Sequence, residues 1–168
     1  AQQFANRAHI PFGYLFLNHP PVDELPIPDL RTVGDQGVPQ PSAELLDLIK
    51  QTMQQQAWYR EYLLNELADP CTVVGISRLE DGVNAMVADM RKRLGVGLFP
   101  DRGDSDDYYR DLVDRIEALG IMVMRQSYLR STTRRFRVEE FRGFAIADQY
   151  APVIFVNHAD APGPRLFT

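Results

Sequence analysis

His9, His19, His158 and Cys71 are the residues of this chain best suited to holding a metal ion or driving nucleophilic chemistry. Their spacing gives little support to either. Two histidines share a helix face only when three or four positions apart, and no two of these three are close in sequence. A single cysteine rules out the paired spacing of structural zinc sites. It also rules out an internal disulfide, which suits a reducing cytosol. Cys71 reads as a small buried hydrophobe rather than a nucleophile. His158 follows an apolar run directly and reads as a surface residue, with a catalytic base as the alternative. Spacing leaves a Ser-His-Asp triad open, but no Gly-x-Ser-x-Gly elbow supports one. The stretch RLGVGL (93–98) lacks the third glycine and the preceding strand of a dinucleotide loop. In DRGDSDD (101–107) a calcium loop beginning at Asp104 would need glycine and glutamate where Tyr109 and Arg115 stand. Those acids read instead as a helix start, with Asp104 or Ser105 as the cap.

Charge is the other source of possible chemistry. Arg130, Arg134, Arg135, Arg137 and Arg142 crowd one stretch around Phe136. A nucleic-acid surface would use such a stripe with the aromatic ring as a stacking face. The preferred reading is a solvated connection, because Glu139 and Glu140 interrupt it and the formal net charge is −5.

These residues need a scaffold. A chain of 168 residues, 45% of them apolar, is long enough for one domain with a real core. No apolar run approaches the length of a membrane span, and no signal peptide is present, so the expected location is the cytoplasm. The first residue is Ala rather than Met, which reads as a processed or trimmed start. Residues 1–18 read as the tail of a helical unit, with Phe4, Ala8 and Ile10 on one side and Tyr14, Leu15 and Phe16 in a turn after Pro11. Residues 19–41 are rich in proline and read as an extended linker that clings to the domain through Leu25, Ile27, Leu30, Val33 and Val38. Ser42 then caps the longest expected helix, in which Leu46, Ile49, Met53, Ala57, Leu64 and Leu67 recur at helical spacing up to Asp69-Pro70. Trp58 and Tyr62 lie on its flank as core or interface residues.

Further on, CTVVGIS (71–77) is a short strand candidate. Val83, Met86, Val87, Met90 and Leu94 give a second helix ending near Gly95, and Tyr109, Leu112, Val113, Ile116 and Leu119 a third ending at Gly120. IMVM (121–124) reads as a core strand, and FRGFAIAD (141–148) with PVIFV (152–156) as an antiparallel hairpin. The expected fold is α+β: three main helices packed on a small, mostly antiparallel sheet.

Several separated stretches resemble one family in its own order. FANRAHIPFGYLFLNHPP resembles the junction after an Xre-type helix-turn-helix domain in bacterial ImmA/IrrE-family proteins. ELPIPDLRT, QQQAWYREYL and EALGIMVM resemble the segments that follow it, and EEFRGFAIADQYAPVIFVNHADAPGPRLFT is the most specific match. The resemblance covers nearly all of the chain. It implies a zincin-like scaffold in residues 42–168, a linker in 19–41, and in 1–18 the tail of an upstream DNA-binding unit.

It also implies that a helix bearing His-Glu-x-x-His, the zinc-binding signature of a metallopeptidase, would begin just past Thr168. The chain as given is therefore expected to have no catalytic residues, no zinc of its own and no peptidase activity. The intact parent is expected to bind zinc and to act on an Xre-type repressor or antitoxin, with DNA contacted only through the upstream domain. In such a scaffold Pro152 to Asn157 would correspond to the strand lining the substrate cleft, which makes Phe155, Asn157 and His158 the substrate-cleft candidates. The residues themselves leave open whether Val153–Val156 is such an edge or a central core strand. They also leave open a parent that is a non-catalytic interaction or sensing module.

Overall fold

Ser42 opens the longest helix. In a computed structural model describing residues 1–7, 12–19, 25–27, 29–32, 41–97 and 103–166, helix α2 spans Ala43–Asn65. The Ser42 hydroxyl accepts from the Leu45 amide at 3.2 Å, as the N-cap reading requires. A local capping box would place a glutamate or glutamine at position 45. That position is a buried leucine, and Glu140 does the work from a distance. It accepts from the Ser42 amide at 2.6 Å and from the Ser42 hydroxyl at 2.9 Å. Arg134 donates to Glu44 at 3.2 Å and to Asp47 at 2.9 Å, gripping the first turns of the same helix.

Only the first half of α2 is buried, through Leu45, Leu46, Leu48, Ile49 and Thr52. Beyond it the expected apolar stripe meets solvent: Leu64 is exposed, and Leu67 lies past the helix end at 90% exposure with a φ of 55°. Trp58, at 69% exposure, stacks on Tyr62 rather than entering the core. Arg60 ties this half of the helix to Asp148 at 3.1 Å. Burial pushes the Asp148 carboxyl up, but the amides of Ala151 and Tyr150, the Arg60 guanidinium and Gln56 together hold it below its ordinary range.

Four strands form one mixed sheet in the order β1-β3-β4-β2. They are β1 (Asp29–Arg31), β2 (Met122–Gln126), β3 (Gly143–Ile146) and β4 (Val153–Asn157). The hairpin expected from the sequence is present, with Phe144 opposite Phe155 and Ile146 opposite Val153 in antiparallel register. β2 joins β4 in parallel, so the sheet is mixed. β1 comes from within the proline-rich stretch and pairs antiparallel with β3. That segment is thus part of the sheet rather than only a linker, and Ile27 just before it is buried in the core. β4 lies between β3 and β2 and buries Val153, Phe155, Val156 and Asn157. Its unbroken apolar run marks a strand covered on both faces.

The core sits between α2 and one face of the sheet. Phe144 and Phe155 stack with centroids 4.9 Å apart, and Phe136 meets Phe141 edge-on at 5.6 Å. Leu45, Leu48, Ile49, Leu129 and Ile27 close around them. Most of residues 130–139 are exposed, as a solvated connection requires, but Phe136 within the stretch and Leu129 just before it are buried. It folds into a tight hairpin, with the Leu129 amide donating to the Arg134 carbonyl at 2.9 Å and the Phe136 amide to the Ser127 carbonyl at 3.0 Å.

Four further α-helices, all shorter than α2, are found among the described residues: α1 (Gln2–Arg7), α3 (Val83–Leu94), α4 (Ser105–Ala118) and α5 (Pro162–Arg165). Asp104 caps α4 by accepting from the Asp106 amide at 2.8 Å. Gly95 ends α3 in the left-handed conformation, and Arg115 of α4 donates to the Leu94 carbonyl at 3.0 Å. α4 packs against β2. α3 keeps its expected bounds, yet none of its residues is buried, so its stripe covers no core among the described residues.

Residues 71–77 form no strand, and 72–75 are a turn. The Cys71 amide is taken by the Gln149 carbonyl at 2.7 Å, and Gly75 adopts a φ of 75°, outside extended geometry. Cys71 is half-buried and donates to the Leu119 carbonyl. Of the N-terminal apolar set, Phe4, Tyr14 and Phe16 are exposed. Ala8, His9, Ile10, Pro11, Val33 and Val38 lie outside the described residues. No helix among the described residues is long and apolar enough to cross a membrane.

Replacing Glu140 with Ala should lower stability by about 1–2 kcal/mol in urea unfolding, because it removes both acceptors from the start of α2. Trp58→Ala should change it by less than about 0.5 kcal/mol, since the ring covers no core. Equal losses in the two variants would contradict this division of α2.

Candidate functional site

β2 and β4 run parallel and end in register at Gln126 and Asn157. The segments leaving these ends diverge, and a cleft of ≈ 380 Å³ opens beside them. Arg125 and Gln126 line it from the end of β2, and Ser127, Tyr128 and Arg130 from the hairpin that follows. His158 enters after β4, and Gln51 reaches in from α2.

Asn157 fixes the exit of β4. Its Nδ2 donates to the Phe141 carbonyl at 3.0 Å, and its Oδ1 accepts from the Ala159 amide at 3.0 Å. Its backbone amide donates to the Arg142 carbonyl at 2.7 Å. The side chain is fully buried and committed, so Asn157 holds the turn and does not face the cleft. Phe155 is a core residue packed among three other phenylalanines. Of the three residues singled out in the sequence, His158 alone lines the cleft.

The His158 amide donates to the Gln126 carbonyl at 2.8 Å, which ties the two strand ends together. Its ring lies 6.5 Å from that of Tyr109, and its Nε2 meets the Arg165 guanidinium. An arginine has no acceptor to offer, so Nε2 accepts and the imidazole is neutral in this arrangement. The pKa follows suit. Burial lowers it first, the Arg165 and Arg125 guanidiniums lower it further, and Asp106 opposes them. Tyr109 lies between two cations, with Arg125 and Arg165 each 5.9 Å from its ring centroid. Burial raises the pKa of its hydroxyl against the pull of both guanidiniums.

Arg130 adopts a φ of 58°, in the left-handed region, which for a residue with a Cβ costs about 1 kcal/mol. The turn that holds it there is anchored on both sides. Leu129 is buried, and Arg134 is engaged by Glu44 and Asp47. Arg137 and Arg142 likewise face Glu140 and Asp160. With Phe136 buried as well, the basic stretch does not present the exposed stacking face that the nucleic-acid reading requires. Arg125 and Arg130 face no carboxylate at ion-pair distance among the described residues.

The arrangement is a cationic, polar cleft suited to binding. His158 spends its acceptor nitrogen on Arg165, and no hydrogen bond joins it to Ser127 among the described residues. Among those residues, no group of three or more His, Cys, Asp or Glu side chains converges as a metal-ligand set. His19 is described and exposed at the other end of the chain sequence. Arg125 and Gln51 escaped the sequence reading. For Arg125 the available signal was a charged residue immediately after an apolar run, where a buried strand reaches the rim of its sheet. No protein-family model, curated protein or solved structure matches this chain.

His158 should titrate below its ordinary value of 6.5 by NMR, and Arg165→Gln should move it back up toward that value. Its folded pKa lies below its unfolded one, so the unfolded chain takes the proton first as pH falls. The stabilising contribution is therefore present above pH 6.5 and is lost on acidification below it. A His158 that titrates above 6.5 would contradict the neutral imidazole described here.

Proposed function

We propose that this chain works in a bacterial cytosolic regulator of the ImmA/IrrE type, a zinc peptidase acting on Xre-type repressors or antitoxins. Within it, the described sheet receives an extended segment of that target. The observation that carries this reading is the open edge of β2. In the order β1-β3-β4-β2 this strand pairs on one side only among the described residues. The Met122 amide donates to the Pro152 carbonyl, and the Gln126 carbonyl accepts from His158. Alternation along the strand then turns the main-chain groups of Val123 and Arg125 away from β4. A target segment laid there would add a fifth strand through backbone hydrogen bonds. The edge falls on β2, since β4 has neighbours on both sides.

The described residues offer zinc no ligand set. By the resemblance, the metal and the proton-transferring glutamate belong to a His-Glu-x-x-His helix beyond them. The share of the described region is then to bind and align the target. A non-catalytic interaction or sensing module is the second reading. It is favoured by the exposed aromatic face of α2, where Trp58, Tyr59 and Tyr62 stack beside one another.

Hydrogen exchange in the presence of a purified Xre-type repressor should show protection at the Val123 and Arg125 amides. Val123→Pro removes one outward N–H and should weaken binding about ten-fold while the β2–β4 ladder persists. Protection confined to Trp58–Tyr62 would favour the interaction module. A reading frame without His-Glu-x-x-His within about ten codons past Thr168 would remove the peptidase from the proposal.

A further inference from the structure

We propose that the cleft at the ends of β2 and β4 is an oxyanion site, walled by Arg125 and Arg130, for a small ligand bearing a phosphate or carboxylate group. The site goes beyond the peptidase reading and does not depend on it.

Pairing of charges is the first argument. The chain has a net charge of −5, and its carboxylates engage Arg134, Arg137 and Arg142 of the same basic stretch. Arg125 and Arg130 meet no carboxylate at ion-pair distance among the described residues, and both line one cleft. Asp106 of α4 is the acid that bears on this end of the sheet, through His158.

Placement is the second. Arg125 stands at the end of a paired strand, with its guanidinium against the Tyr109 ring. Arg130 is held at a positive φ by a hairpin whose flanks are fixed by Leu129 in the core and Arg134 on α2. Both guanidiniums start from a fixed backbone, and that of Arg125 also lies against a ring, which lowers the ordering an anion must impose. Ser127 adds a hydroxyl to the lining, and Gln126 and Gln51 each an amide whose NH2 group can donate to an anion. The volume of ≈ 380 Å³ suits a small molecule.

The test titrates the chain with inorganic phosphate and, separately, with succinate, at ionic strength held constant with chloride. Heteronuclear NMR reads the result. Saturable shifts should appear at Ser127, Tyr128, Arg130 and His158, and the tighter of the two anions identifies the acidic group. Arg125→Gln should weaken binding about ten-fold or more. Arg130→Gly should do the same while leaving the melting temperature unchanged or higher, because glycine accepts the left-handed conformation freely. Arg93→Gln on α3 should leave binding unaltered. Lack of saturation by either anion below about 10 mM would overturn the proposal. So would equal weakening in Arg93→Gln and Arg130→Gly, which would mark general charge screening.

Discussion

Glu140 reaches Ser42 across 98 positions of sequence and accepts both its amide and its hydroxyl hydrogen. A helix start leaves several N–H groups unpaired, and buried donors left so destabilise by about 1–3 kcal/mol each. α2 cannot answer this locally, because its third position is Leu45, needed in the core. The carboxylate therefore comes from the segment before β3, and that requirement draws the 127–142 hairpin onto the helix. Arg134 completes the clamp through Glu44 and Asp47, and as the donor to two carboxylates it is held more firmly in its charged form. Its side chain is only 18% exposed. The exposed pairs on the other helices, such as Arg93 with Asp89, contribute about 1 kcal/mol or less by comparison.

The same clamp determines where the cleft opens. Once Leu129 and Phe136 are buried beside Leu45 and Ile49, the turn between them must stand at the end of β2. Arg130 is carried there in a backbone conformation that the turn imposes. Gln51 lies two turns further along α2 than Glu44 and becomes the opposite wall. The cleft thus inherits its rigidity from core packing and from long-range charge pairs, although most of its lining is loop.

Local signals were legible in the sequence. The Ser42 cap, the Gly95 stop, the Asp104 cap and the antiparallel β3–β4 pair each depend on residues within a few positions of one another. Reading failed where partners were distant. Val73 and Val74 have strand composition, but Gly75 and the pairing of Cys71 with Gln149 turn that segment aside. Leu67 and Trp58 fit a buried helical stripe, but the core ends at Thr52 and leaves them in solvent. The anchoring of the arginine-rich stretch was not legible because the acidic partners of Arg134 on α2 lie about 90 positions away. His158 was found and Arg125 missed for a related reason: histidine draws notice by its type, whereas Arg125 gains meaning only from the strand end it occupies.

The parallel pairing of β2 with β4 gives these positions their meaning. Two parallel strands ending in register send their chains out at the same rim, and a gap opens where those chains part. Within the ladder, polar groups are consumed: Phe155 packs, and Asn157 spends its amide on Phe141 and Ala159. The first residues beyond the ladder are free of that duty. Ser127 and Tyr128 follow one strand and His158 the other, so the gap is lined by side chains that the fold does not need elsewhere. An antiparallel partner in place of β2 would have put the start of a strand at that rim, and the two diverging exits that make the cleft would not exist.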